Sequence, residues 1–228
     1  MPDVEAGAKQ GAHWENELGL KEPMLCSDCE QRFSVYENYA RQLLYSNAPG
    51  PLKKIDLGVF HQMHDPIMLG VKIIQPAEFD FRLLKLFQLS ILWRAGVASG
   101  RHYTNVSLGA KHEEKLRQLL VAENPGNDYE YCCPMADMRY KGLGCEDWTQ
   151  TPVSARDKLS NQRIYKIALG GYLYIFHVAN EPSPQEILNM SARDGHPIHM
   201  PVANPQQMMQ RWAVALYEAE TLKGGPID

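Results

Sequence analysis

The chain has 228 residues, enough for one medium domain with a sizeable apolar core, or for a small module joined to a larger one. Its net charge of -4 argues against a surface that coats nucleic acid non-specifically, because such binding rests on Lys and Arg neutralising phosphates; a local basic face stays open. Five cysteines, an odd number, fall as Cys26/Cys29, Cys132/Cys133 and a lone Cys145, a pattern that fits reduced thiols or metal ligands in the cytoplasm better than a disulfide framework.

Residues 1–20 lack hydrophobic periodicity and an apolar leader core, so a flexible tail without a signal peptide is expected there. Residues 21–50 form a second unit, in which Cys26 and Cys29 run straight into a helix. From Asp28 onward Phe33, Tyr36, Ala40, Leu43 and Leu44 recur at three- and four-residue spacings, which places them on one face, and "SNAPGP" (Ser46 to Pro51) supplies the stop.

The remainder, 51–228, reads as an α+β domain in which helices dominate. "KIDLGVF" and "IMLGVKIIQP" have the Ile, Leu and Val content and Gly or Pro borders of short strands. A long helix is expected from Ala77 to Val97, with Phe81, Leu84, Phe87, Leu89, Ile91, Leu92 and Trp93 covering most of its circumference; it should be central and largely buried. Arg82, Lys85 and Arg94 interrupt it, so it does not read as a membrane span, which needs about 20 mostly uncharged residues. Trp93 reads as core, and Arg94 as a side chain reaching solvent or a carboxylate. The next helix, within "SLGAKHEEKLRQLLVAEN", turns Leu116, Leu119 and Leu120 inward; its outer face suggests ion pairs such as Glu113/Arg117.

The stretch from Asp128 to about Asn161 has no regular period and supplies carboxylates, Asp137, Glu146 and Asp147, without a motif around them. "RIYKIALGGYLYIFHVA" then gives a clear late β-hairpin around Gly170-Gly171. A last helix is signalled by Asn204 as cap, Pro205 at its first position and Gly224-Gly225 at its end.

The candidate chemistry centres on metal ligation. A CxxC pair at a helix start can put two thiolates on one ion, and the helix dipole favours the thiolate form; two packed, metal-free cysteines are the plain alternative. The remaining ligands must come from elsewhere. Cys132 and Cys133 are candidates, although side chains of adjacent residues diverge, and so are His61 and His64 of "HQMH"; "HPIH" (His196 and His199) repeats that spacing. Sharing the Cys26/Cys29 pair across a homodimer is a further way to complete a set. No P-loop, dinucleotide fingerprint, HExxH helix or GxSxG elbow occurs in the chain.

"LCSDCEQRFSVYENYARQLLY", with "KLFQLSILWRAGVASG", "YTNVSLGAKHEEKLRQLL" and "NPGNDYEYCC", resembles a group of bacterial proteins with no assigned activity, over roughly residues 20–180. In longer members an upstream CxxC and an "SHIIP"-like segment precede this Cys pair, so that their N-terminal part is similar to an HNH-type treble-clef finger. The resemblance implies that Cys26 and Cys29 belong to the downstream half of such a finger. HNH chemistry needs a histidine that activates water, and in these proteins it sits upstream of the second Cys pair. Here the one histidine upstream is His13, and its context, "GAHWENE", lacks the motif; an exposed tail residue is the plain reading. The resemblance therefore implies a zinc-binding structural or interaction protein with a nucleic-acid or protein partner and without an HNH catalytic site. The alternative it leaves open is a metal-dependent endonuclease whose ligands come from His61/His64 or a partner subunit.

Overall fold

A computed structural model describes residues 24–45, 68–139, 148–158, 160–211 and 213–214. The expected tail over 1–20, the stop at 46–51, the strand in "KIDLGVF", the Gly224-Gly225 stop, and His13, His61, His64, Cys145, Glu146 and Asp147 lie outside the described residues.

The class is α+β. Helix α1 (Ser27–Tyr45) begins where the Cys26 carbonyl accepts the first helical bond from the Glu30 amide at 3.0 Å, and Asp28 and Glu30 place acidic charge in its first turn, where the dipole favours it. Its buried face is the expected one: Phe33, Tyr36, Ala40, Leu43 and Leu44. Strand β1 (Met68–Ile74) follows.

The central helix α2 runs over Phe81–Val97, starting later than its hydrophobic pattern suggests. The reason is local: Pro76–Glu78 closes a separate 3-10 turn, and the Asp80 side chain then caps a new start by accepting from the Leu83 amide at 3.0 Å. The tyrosine hydroxyl of Tyr39 accepts from the Asp80 amide and so ties α1 to that start. Residues Leu84 through Leu92 of α2 are all buried, Lys85, Gln88 and Ser90 among them. Helix α3 (Ala110–Val121) buries Leu116 and Leu120, with Leu119 packed beside them. Its arginine Arg117 pairs with Glu114 at 2.7 Å, one residue closer than the expected Glu113.

Among the described residues six strands form one mixed sheet in the order β1-β6-β2-β5-β4-β3. The hairpin of β4 (Arg163–Leu169) and β5 (Tyr172–Val178) is as the sequence pattern predicts, in antiparallel register from Arg163↔Val178 to Leu169↔Tyr172, with Gly170 and Gly171 both at positive φ in the turn. Three strands that the pattern does not announce complete the sheet. Strand β2 (Met135–Asp137) and strand β3 (Gln150–Arg156) come from the irregular segment, and β6 (Ile198–Ala203) from the "HPIH" region. Strand β2 joins β5 antiparallel and β6 in parallel, through Asp137↔Val202. Strand β3 is the border strand beyond β4. A short helix α4 (Gln185–Asn189) precedes β6.

One face of the sheet meets α1, α2 and α3 in a single hydrophobic cluster that runs from Phe33 and Leu44 through Leu89 and Leu92 to Tyr165, Tyr174 and Phe176. The other face carries a smaller cluster, Ala136, Met138, Val153, Ala168, Leu173 and Ala203, covered in part by Trp148 and by Met208. Met208 belongs to the last helix, which occupies 205–211; Asn204 caps it by accepting from the Gln206 amide at 3.1 Å. Strand β5 lies between the two clusters and is buried on both faces.

Candidate functional site

Cys26 sits at the cap position of α1 and is exposed, and Cys29, one turn on, is half-buried. The turn brings the two sulfurs together: the backbone amide and the thiol of Cys29 both hydrogen-bond to Cys26, and those bonds hold its thiol below the ordinary range. Cys29 moves the other way, first because it donates to Cys26 and then because burial and the Cys26 charge disfavour a second thiolate. Cys26 is thus the more readily ionised of the two. Two thiolates in contact need a cation between them, which is the role a divalent metal plays.

Beside the pair lies a mainly apolar cavity of about 290 Å³, walled by Met24, Leu25, Phe33, Trp93 and Leu120 and flanked by Arg32 and Arg117. Trp93 is half-buried and meets Phe33 edge-on, with ring centroids 6.2 Å apart. Arg94 finds Glu37 of α1 at 2.7 Å and lies over the Phe33 ring. These contacts fix the first two turns of α1, and hence the Cys pair, against the middle of the fold.

The other expected ligands stand elsewhere. Cys132 and Cys133 are both buried, in the extended run just before β2, where successive side chains point to opposite sides. The Cys132 thiol donates to the Asp128 carbonyl at 3.4 Å and that of Cys133 contacts the Pro134 carbonyl at 3.9 Å. Burial pushes both thiols up, so they are neutral interior groups. His199 lies exposed in β6, in a strand where side chains three apart face opposite ways; His196, also exposed, precedes the strand and contacts the Asp194 carbonyl at 2.7 Å. Among the described residues, no group of three or more His, Cys, Asp or Glu side chains is gathered to hold a metal ion. The structure thus brings Cys26 to Cys29 and leaves that pair without a third ligand from the described residues.

Several polar groups take roles in the structure that the sequence pattern did not assign to them. Lys85, in mid-α2, is wholly buried, and its ammonium donates to the Glu130 and Tyr131 carbonyls, each at 2.8 Å. Burial lowers its pKa, against the pull of Cys132, Cys133, Asp128 and Glu130. The signal was present as a lysine in the middle of an otherwise apolar helix. Asp137 is buried between Lys72, which contacts one carboxylate oxygen, and Arg139, whose Nε lies 3.3 Å from the other. Its carboxyl is pushed up by burial and pulled down further by hydrogen bonds from the two cations, so that it ends below the usual range.

A polar cavity of about 180 Å³ lies at the start of α3. In it His112 Nδ1 is 3.0 Å from the Tyr131 hydroxyl. Burial, aided by Lys111 and Lys115, lowers the His112 pKa, and burial with Glu130 pushes Tyr131 up to about 12, so a neutral phenol and a neutral imidazole share this hydrogen bond. Lys115 is paired with Glu130 at 2.6 Å, which leaves little unbalanced charge in this cavity.

Comparison of the chain with models of known protein families, with curated proteins and with solved structures finds no match in any of the three. Among the described residues no helix is long and apolar enough to cross a membrane.

Proposed function

We propose that Cys26 and Cys29 are two ligands of a structural zinc ion, and that the protein does structural or interaction work on a treble-clef-like element, with nucleic acid as its partner. The observation that carries this reading is the contact between the two thiols in the first turn of α1, with Cys26 exposed and inclined to the thiolate. Zinc prefers four nitrogen or sulfur ligands in tetrahedral array, and a CxxC turn supplies two adjacent corners. Soft thiolate donors at a helix N-terminus suit zinc better than magnesium or calcium, which take oxygen. The remaining corners fall to His61 and His64, or to a second copy of the chain.

In this reading the metal is a clamp and not a reagent. It ties whichever segment supplies the remaining ligands to the start of α1, which the Phe33, Trp93 and Arg94 packing holds in place. The test is metal content by mass spectrometry on purified protein, beside the double variant Cys26→Ser/Cys29→Ser. Zinc in fixed proportion to protein is expected in the parent and background levels in the variant; equal zinc in both would sink the assignment.

A further inference from the structure

Strands β3 and β4 run antiparallel with Arg156 directly opposite Arg163, and Ser154 opposite Tyr165. Directly opposed like charges destabilise a sheet unless something of the other sign sits between or above them. Both arginines are exposed, and neither has a carboxylate within ion-pair distance among the described residues. Arg156 spends one N–H on the Asn161 carbonyl at 3.0 Å, and Arg163 reaches the Ser107 carbonyl only at 3.5 Å. Each guanidinium presents five N–H groups, so most of the donors in this pair stay available.

The two arginines border an open hollow of about 300 Å³, completed by Asn105, Ser107, Ser154 and Tyr165. The Ser107 and Ser154 hydroxyls make no hydrogen bond among the described residues. Tyr165 donates to the Ser107 carbonyl, and Asn105 to the Pro152 carbonyl at 3.3 Å, so both walls are held in place. The arginines border the hollow directly, and one carboxylate, Asp157, stands beside Arg156. Lys158 follows Arg156 by two residues, and the carboxylate of Asp157 between them is turned to the Ser160 amide at 2.8 Å and hydroxyl at 2.7 Å. On the opposite face of β4, Lys166 has its pKa lowered by burial first and then by Arg211 and Lys158, against the pull of Asp157, so cations outnumber that one carboxylate there. A chain of net charge -4 therefore gathers cations at one corner.

We propose that the Arg156–Arg163 pair, with the Ser107 and Ser154 hydroxyls, is a phosphate-binding site that takes the backbone of a nucleic-acid strand. Paired planar guanidinium forks match the oxygens of a phosphate, and the hydroxyls fill its remaining acceptor directions. The hollow is open along the sheet border and not enclosed, which suits a strand passing through and reading no base. The site rests on the nucleic-acid part of the function proposed above, and is independent of the zinc part.

The experiment is fluorescence anisotropy of a labelled single-stranded oligonucleotide titrated with the full chain at several salt concentrations. The parent should bind with an affinity that falls as salt rises. Arg156→Ala and Arg163→Ala should each weaken binding and reduce the slope of log affinity against log salt by roughly one. Arg163→Lys, which keeps the charge and loses the fork, should fall between parent and Arg163→Ala; Arg82→Ala, at a paired arginine elsewhere, should bind as the parent does. Matching thermal melts establish that the exposed substitutions leave the fold intact. Oligonucleotide binding that both alanine variants retain would overturn this site while leaving nucleic-acid association standing. No binding by the parent would overturn site and partner together, with zinc content untouched. Binding of inorganic phosphate alone, seen as competition-free protection of the parent against melting without oligonucleotide binding, would overturn the strand as the ligand.

Discussion

Lys85 shows what one buried residue can decide. Its aliphatic stem packs in the core as a methionine would, but its ammonium answers two carbonyls, those of Glu130 and Tyr131. Tyr131 has φ +48, a left-handed conformation that a bulky side chain rarely adopts, and the ammonium bond is one of the contacts that hold it there. Lys85→Met leaves both carbonyls without that donor, at about 1–3 kcal/mol each, while relief from burying a charge offsets part of this; a net loss of about 1–2 kcal/mol is expected in urea unfolding. The pH dependence has a definite sign. Burial lowers the folded pKa from 10.5, so between that lowered value and 10.5 the unfolded chain binds more protons than the native one. This group's contribution to stability therefore rises with pH across the window and is lost as pH falls through the folded pKa. The methionine variant should lack that slope, and denaturant titrations at neutral and alkaline pH measure it.

Among the elements, the β4–β5 hairpin and α1 depend on each other at one point. Gly170, at φ +57, turns the chain, and its carbonyl accepts from the Tyr45 hydroxyl at the end of α1 at 2.8 Å. Tyr172 returns the contact by donating to the Leu44 carbonyl at 2.7 Å. A methyl group on Gly170 would overlap the Tyr45 hydroxyl as well as straining the backbone. Gly170→Ala should cost about 1–2 kcal/mol from the left-handed conformation alone, and more from the displaced tyrosine, read as a lowered midpoint in thermal melting. This hairpin was legible from sequence because its period and its Gly-Gly turn agree, as was α1 from its single apolar stripe. Strands β2 and β3 were not. Met135, Ala136 and Asp137 are buried in succession, so β2 has no alternation to read, and β3 has the polar, proline-bearing composition of a border strand. At His196 and His199 the HxxH spacing has no helix to act on, because the second histidine sits in a strand. Cys26 and Cys29 were legible as a pair. The opposed arginines were not, because their proximity is a product of strand register.

At the scale of the molecule, the sheet has a narrow joint. Strands β1 and β6 form one long antiparallel ladder, and the register that connects β6 to β2 is the single parallel pairing Asp137↔Val202. Lys72 of β1 reaches past β6 to Asp137 of β2, so the ion pair spans that joint. Arg139 closes the cluster and lays its guanidinium 4.2 Å from the centre of the Tyr172 ring, linking the joint to β5. Asp137→Asn should cost about 2–4 kcal/mol, below the full cost of orphaning a buried charge because the two cations keep some solvent. The sign is the same as for Lys85, in an acidic window: the Asp137 pKa is depressed in the fold, so its contribution is present above the unfolded carboxyl range and is lost as pH falls through the folded value. Acid unfolding of the parent should therefore be steeper than that of the variant.

Strand β3 has a final consequence for how copies of the molecule meet one another. A sheet border is a template onto which another chain can lay an extended segment, and long unbroken borders lead to fibrous aggregates. Pro152 stands inside this one, with no N–H to offer, and the Asn105 amide already occupies its carbonyl. An incoming segment would find a missing donor and a taken acceptor in the middle of its ladder, with Arg156 repelling the same residue of an approaching copy. The same border that gathers positive charge thus guards the protein against zipping to itself.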